Sequence, residues 1–359
     1  MKSFICIPYS FMAATALCAV AACSSSDEPL SPSPQEERPI SFDAETASFI
    51  PQSRDADVTT TENIPEFRIW AYDYSLYSYV MNGVKVVRTG INSWSYSPAV
   101  DWTGNPMCFT AVSPASIDIN TNPWWLDMLQ YQNGGEDDLV VCRVTNVRQT
   151  SGRLRLHFYH ALSMVGVTIH SSLPSGSVRV KSATIVNVTN VGQFRYPSEG
   201  FNSSTTPEQV SECWDIYAQS TRIPVFLSDN GTPVLDSPLE ADNQGYNFFI
   251  PSRLGVFDFD AYFNSSYLEI DYRIENPDGS TAWPDSSTDY RLLSRDNPGY
   301  GQIRLGLGDK LPDNRWLSGK RYRYSVNLSG PAEVPPGAAS ENSRSTSDGN
   351  SMDVDVSDL

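Results

Sequence analysis

Positive charge is scarce in this chain: 25 Lys and Arg stand against 42 Asp and Glu over 359 residues, a formal net charge of −17. Neutralising a phosphate backbone takes clustered Lys and Arg, so nucleic acid is excluded as a partner class. Charged residues of both signs reach only 19%, while Pro (25) and Gly (22) are common, which argues against a coiled coil or a long-helix protein. Histidine is rarer still, at three residues. His157 and His160 are three apart in a strand pattern, so they face opposite ways and cannot share a metal; His160 reads as a hydrogen-bonded core residue. No metal or other cofactor is expected. Neither a G-x-S-x-G nor a P-loop is present. Glu136-Asp137-Asp138 reads as a turn, and Asp258 and Asp260 as the wet side of a strand, so the solvated reading outweighs a glycosidase carboxylate pair and no enzyme is expected.

Cysteine is also thin. Cys6, Cys18 and Cys23 lie in the leader, leaving Cys108, Cys142 and Cys213, which form neither a disulfide framework nor a C-x-x-C zinc pair. Cys108 and Cys142 sit in the strand-like runs MCFTAV and LVVCRV and read as core. The only long apolar run is Phe4 to Ala22, ending Val20-Ala21-Ala22-Cys23. A short apolar stretch followed by small residues is a secretory signal rather than a transmembrane helix. With a cysteine directly after, it resembles a bacterial lipoprotein signal, in which the chain is cut before the cysteine and lipid is attached to its sulfur. The resemblance implies that residues 1–22 are the signal peptide, Cys23 the lipidation site, and the outer membrane the place of anchoring. Residues 23–38, Pro-, Ser- and acid-rich, form a solvated tether. The SSSDE run after Cys23 fits a surface-export signal and a plain linker equally well.

Beyond the tether, period-2 patterns dominate. PISFDAE places Ile40, Phe42 and Ala44 on one face; FRIWAYD alternates Phe67, Ile69 and Ala71 with Arg68, Trp70 and Tyr72. RLRLHFYH and RYRYSVNL alternate likewise, as a sheet with one wet face requires. Similar runs recur at SVRVKSATIVNV, GYNFFIPS, VFDFDAYF and GQIRLGLG, separated by Gly, Pro, Asn and Asp turns. Two short helices are expected, one from Asn122-Pro123 into WWLDMLQY, the other from the capping box Thr206-Pro207-Glu208-Gln209, although WDIY just after it also reads extended. Trp94, Tyr96, Trp102 and the Trp124-Trp125 pair fit either a surface that binds sugars or partners, or the covered end of a sandwich. A boundary is expected near residues 170–177.

These pieces, in order, resemble the fimbrillins, lipoprotein subunits of type V pili. The match runs from Cys23 through PISFDAET, SRDADVTTTENIPEFRIWAYD, GEDDLVVCRV, LHFYHALSMVGVTI and YNFFIPS to WLSGKRYRYSVNL. The resemblance implies an all-β fold of two tandem transthyretin-like β-sandwich domains with a few short helices, at residues 39–172 and 173–330. It also implies a structural stalk, tip or anchor subunit that polymerises with other pilus subunits, contributes to adhesion, and meets a host or bacterial surface receptor. A monomeric outer-membrane glycan-binding lipoprotein is the alternative, and a secreted hydrolase the remoter one.

In fimbrillins an arginine-specific protease removes the first strand of the mature lipoprotein. Here the strand would be Ile40–Ala44 and the cut would fall between Arg54 and Asp55, so residues 39–54 would leave on maturation; Arg38 is blocked by Pro39. Removing a strand leaves unpaired backbone groups and an apolar groove, a template for strand addition. Residues 331–359 are of low complexity apart from Ser351–Ser357, where Met352, Val354 and Val356 alternate with Asp353 and Asp355, the pattern a donor strand needs.

Overall fold

The computed structural model describes residues 38–46, 63–91, 93–117, 119, 128–132, 137–149, 152–219, 221–242, 244, 248–334 and 350–359. Cys23, Arg54, Asp55, Glu136 and the Trp124-Trp125 pair lie outside them. The first strands are β1 (Phe42–Thr46), β2 (Glu66–Asp73), β3 (Ser78–Gly90), β4 (Ser93–Ser95) and β5 (Met107–Ser113). They are followed by β6 (Met128–Gln132), β7 (Val140–Val147), β8 (Leu154–His160), β9 (Ser163–Ser171), β10 (Val178–Val186) and β11 (Thr189–Arg195). After the short helix α1 (Pro207–Ser211) come β12 (Trp214–Gln219), β13 (Arg222–Pro233), β14 (Leu239–Glu240), β15 (Phe248–Phe249) and β16 (Tyr267–Glu275). The chain ends with β17 (Thr281–Trp283), β18 (Gly301–Gly306), β19 (Lys320–Leu328) and β20 (Ser351–Asp358). The fold is all-β.

Seven strands form one sheet in the order β1-β8-β7-β5-β2-β3-β4. Its alternation puts Phe42, Phe67, Phe109, Leu156 and Phe158 into one buried cluster. The opposite face is not wet, as the sequence pattern had suggested. Trp70, Val112, Val141 and Tyr159 pack there against Phe194 and Trp214 of a three-stranded sheet ordered β12-β11-β6. Aromatic residues at the nominally outer positions make this second layer possible, because each brings a large apolar area to bury.

The helix expected over WWLDMLQY does not form in its described part. Met128–Gln132 is the strand β6, antiparallel to β11, with Leu129 fully buried in the second layer. Tertiary pairing overrides the local helix signal there. The second helix does form. Thr206 Oγ1 accepts the Gln209 N–H and Gln209 Oε1 accepts the Thr206 N–H, but α1 is only five residues long and WDIY continues as β12.

A second core lies between two further sheets. One is β13-β10-β16-β17 with β18 on β16; the other is β14-β9-β19-β20 with β15 on β9. Val180, Leu268, Ile270 and Tyr272 face Val165, Tyr324 and Val326 across it. The chain changes sheets at Ala161–Leu162. β9 then runs parallel to β19, from Arg321↔Met164 to Leu328↔Ser171. The division expected at 172/173 therefore falls one strand after the change of sheet.

VFDFDAYF is a loop rather than a strand. Asp258 Oδ1 accepts the Asp260 and Ala261 N–H groups, an Asx turn that leads into a 3-10 turn at Tyr262–Asn264, while Phe257 and Phe259 stay buried. Gly301 is required inside β18, since a Cβ there would lie 1.9 Å from the Trp283 ring.

Candidate assembly site

β1 lies at the end of the seven-stranded sheet, parallel to β8 from Phe42↔Leu154 to Thr46↔Phe158. Its Ser41 carbonyl accepts the Leu154 N–H at 2.7 Å. The residues before it reach across to the far edge of the same sheet. Ile40 N–H donates to Val100 O at 2.9 Å, Trp102 N–H donates to Arg38 O at 3.2 Å, and Pro39 bridges Asp101. Tyr96 Oη donates to Ile40 O at 2.7 Å. Burial of the Tyr96 hydroxyl pushes its pKa up, which keeps it the neutral donor. This one segment closes the sheet on itself.

The side chains explain why it stays. Ile40, Phe42 and Ala44 are all at or below 3% exposure. The Phe42 ring meets Phe67 edge-on at 6.0 Å, Tyr96 at 5.5 Å and Phe109 at 6.5 Å. Burying an Ile or Phe contributes about 1.5–3 kcal/mol each. On the outer face, Glu45 lies 3.7 Å from Arg155 and 3.3 Å from His157. Taking the segment that carries β1 away would leave the Leu154 N–H unpaired beside an aromatic trough. Trp94, Tyr96 and Trp102 line that trough at half-buried positions against the core, so of their two readings the covered end fits.

The last strand is held differently. β20 pairs antiparallel with β19, from Lys320↔Asp358 to Asn327↔Ser351, at the outer edge of its sheet. Met352 is buried opposite Val326 and Val354 is half-buried opposite Tyr324, whereas Val356 is 44% exposed. The ends are pinned by residues that pattern reading passed over. Asn350 is buried; its Oδ1 accepts the Ser329 N–H at 2.8 Å, and its Nδ2 donates to Tyr272 Oη at 3.2 Å. Leu359 buries its side chain in the second layer beside Trp214 and Phe248, and its N–H donates to Gly319 O at 2.9 Å. The Lys320 ammonium pairs with Asp358. A polar residue beside a hydrophobic alternation, and a Leu ending an acidic tail, were the available signals.

The segment expected to be low-complexity is thus partly built into the fold, since Ala332 is buried as well. Asp138, expected to be solvated, is buried, with Oδ2 2.7 Å from His160 Nδ1. That pair fixes the start of β7 against the end of β8, and each group supplies the partner the other needs away from water. Cys108 and Cys142 are free and buried, and burial pushes the Cys142 thiol pKa up, so it is an inert core residue.

The described chain thus carries an edge strand at each end, one clamped in a trough and one laid on a sheet edge. The fimbrillin-like family matches residues 53–342, and the chain belongs to it. No curated protein matches. The fold is similar to that of a candidate cell adhesion protein from Bacteroides uniformis, at 10% identity, TM-score 0.50, covering 89% of this chain and 98% of that one. The tip fimbrial protein Mfa3 from Porphyromonas gingivalis, with a C-terminal truncation, is 9% identical over 82% of this chain and 94% of its own, TM-score 0.37. A fimbrilin, FimA, from the same organism is 11% identical over 82% and 90%, TM-score 0.39. Family membership implies a structural, pilus-type protein of the cell surface that associates with other subunits.

Proposed function

We propose that this protein is a lipid-anchored fimbrial subunit that polymerises by exchange of its terminal strands and contributes to adhesion. Lipid on Cys23 would hold the precursor at the outer membrane. Cleavage between Arg54 and Asp55 would then free the segment that carries β1, and Met352, Val354 and Val356 of another subunit would fill the emptied trough. The observation that carries this reading is the burial of Ile40, Phe42 and Ala44 in the segment that leads into and forms the terminal strand β1. The tail repeats the same i, i+2, i+4 apolar spacing. An apolar trough flanked by unpaired backbone groups binds an extended chain of matching alternation, main-chain hydrogen bonds giving affinity and side-chain pockets the register.

The test is the N-terminal residue of protein recovered from the cell surface. Membrane-bound precursor should begin at lipidated Cys23 and label with palmitate, and Cys23→Ala should lose both label and anchoring. Fibre protein should begin at Asp55. Assembled fibres that retain residues 39–54 would rule out the exchange.

A further inference from the structure

A cavity of about 120 Å³ opens beside the 3-10 turn Tyr262–Asn264, and its lining is unlike the rest of this acidic surface. Three guanidinium groups border it, from Arg291, Arg295 and Arg304, along with Phe259, Tyr262 and Tyr290. Arg291 and Arg304 are each paired with a carboxylate, Asp289 and Glu269, and Asp260 is also on the lining, so what marks the cavity is the number of guanidinium donors rather than a net positive charge. Two of the arginines are set rigidly. Arg304 lies over the Tyr262 ring at 4.4 Å, and its Nε donates to Glu269 Oε2 at 3.2 Å. Arg304 also donates to Gln302 Oε1. Arg291 lies over the Phe259 ring at 5.8 Å, with Nε and Nη2 on the Asp289 carboxylate at 3.1 and 2.8 Å. A guanidinium carries five N–H donors, so each of these two spends two on its fixed partners and keeps three. Arg295 is exposed and has no partner among the described residues.

We propose that this cavity binds the carboxylate of an acidic saccharide. Its volume equals that of about four waters, enough for a carboxylate and the carbon that bears it but not for a whole sugar ring. The planar fork of arginine matches a carboxylate in two-point geometry, and stacking on aromatic rings holds Arg291 and Arg304 in place before a ligand arrives. The ring of the sugar would then remain outside, where Tyr290, 77% exposed, offers a flat apolar face. Asp260, exposed on the cavity lining, is an acceptor for sugar hydroxyls. A donor-rich pocket, an aromatic platform and one carboxylate acceptor together describe a polyhydroxylated ring bearing an acid. A neutral sugar lacks the group that fills the pocket, and a bare anion lacks the face that meets Tyr290. None of the lining residues belongs to β1 or β20, so the cavity is formed without strand exchange.

The test is calorimetric titration of the purified full chain with N-acetylneuraminic acid, glucuronic acid, galactose and inorganic sulfate. At least one acidic sugar should bind saturably, with Kd on the order of 1 mM, the range of a single weak site. Binding should weaken with rising salt, as expected of an exposed charge contact. Arg295→Gln and Tyr290→Ala, both at exposed positions that leave the fold intact, should each weaken it roughly tenfold, about 1.4 kcal/mol. Galactose binding as tightly as the acids would overturn the proposal. So would sulfate binding as tightly as either acid, which would mark a plain anion site, or an Arg295→Gln variant that binds both acids unchanged.

Discussion

β1 and β20 are written in the same code and held with very different strength. Each is a terminal strand of its sheet, with three apolar residues at alternate positions: Ile40, Phe42 and Ala44 in one segment, Met352, Val354 and Val356 in the other. In and just before β1 all three are buried; in β20 only Met352 is, and Val356 stands 44% exposed. The difference lies in what faces them. Phe42 looks into Phe67, Tyr96 and Phe109, whereas β20 has β19 along one edge, packs Met352 and the half-buried Val354 on the core, and is tied at its ends by Asn350 and Leu359. Alternation makes a strand competent to pair; the layer opposite sets how tightly it is held. Moved into a trough like that of β1, a strand with β20's pattern would bury all three of its alternating apolar side chains, where on β19 it buries only Met352.

The sharpest way to break this contrast is at Phe42. Phe42→Ala should lower stability by about 3–5 kcal/mol, the usual cost of emptying a buried aromatic site, read by denaturant unfolding. A loss below about 1 kcal/mol would mean that β1 is not part of the core. Asn350→Ala should cost about 1–3 kcal/mol, because it strips the Ser329 N–H and the Tyr272 hydroxyl of a buried partner. Its effect should also appear as faster amide exchange along β20, sharpening the view that this strand is held by its ends. Val356→Ser should change stability by no more than about 0.5 kcal/mol, as surface changes do. If it costs as much as Asn350→Ala, the middle of β20 is held as firmly as its ends and the contrast fails.

Sequence alone carried much of this, and its gaps have physical causes. The alternation of PISFDAE and RYRYSVNL predicts the inward faces of β1 and β19, since period 2 is a property of the strand itself. It cannot say whether the other face is covered, and Trp70 and Tyr159 turned out to lie under a second layer because β11 and β12 come back over them. WWLDMLQY carries good helix-start chemistry, yet in its described part the pairing of Met128–Arg195 through Gln132–Val191 decides for strand. The parallel pairing of β9 with β19 joins residues more than 150 positions apart, for instance Met164 with Arg321, and no local pattern encodes it. The same holds for the pair of Asp138 and His160, read separately as a turn acid and a core histidine. Asn350 and Leu359 escaped notice because an anchor needs only one residue and leaves no period.

The central claim is that the trough of β1 can be emptied and refilled by the tail of another copy. Treatment of the purified full chain with an arginine-specific protease, followed by SDS electrophoresis without boiling, tests it directly. Wild type should give a ladder of SDS-resistant multimers, while Arg54→Ala and a chain ending at Gly330 should remain monomeric. A ladder from Arg54→Ala would contradict the cleavage site, and a ladder from the shortened chain would remove Met352, Val354 and Val356 as the donor.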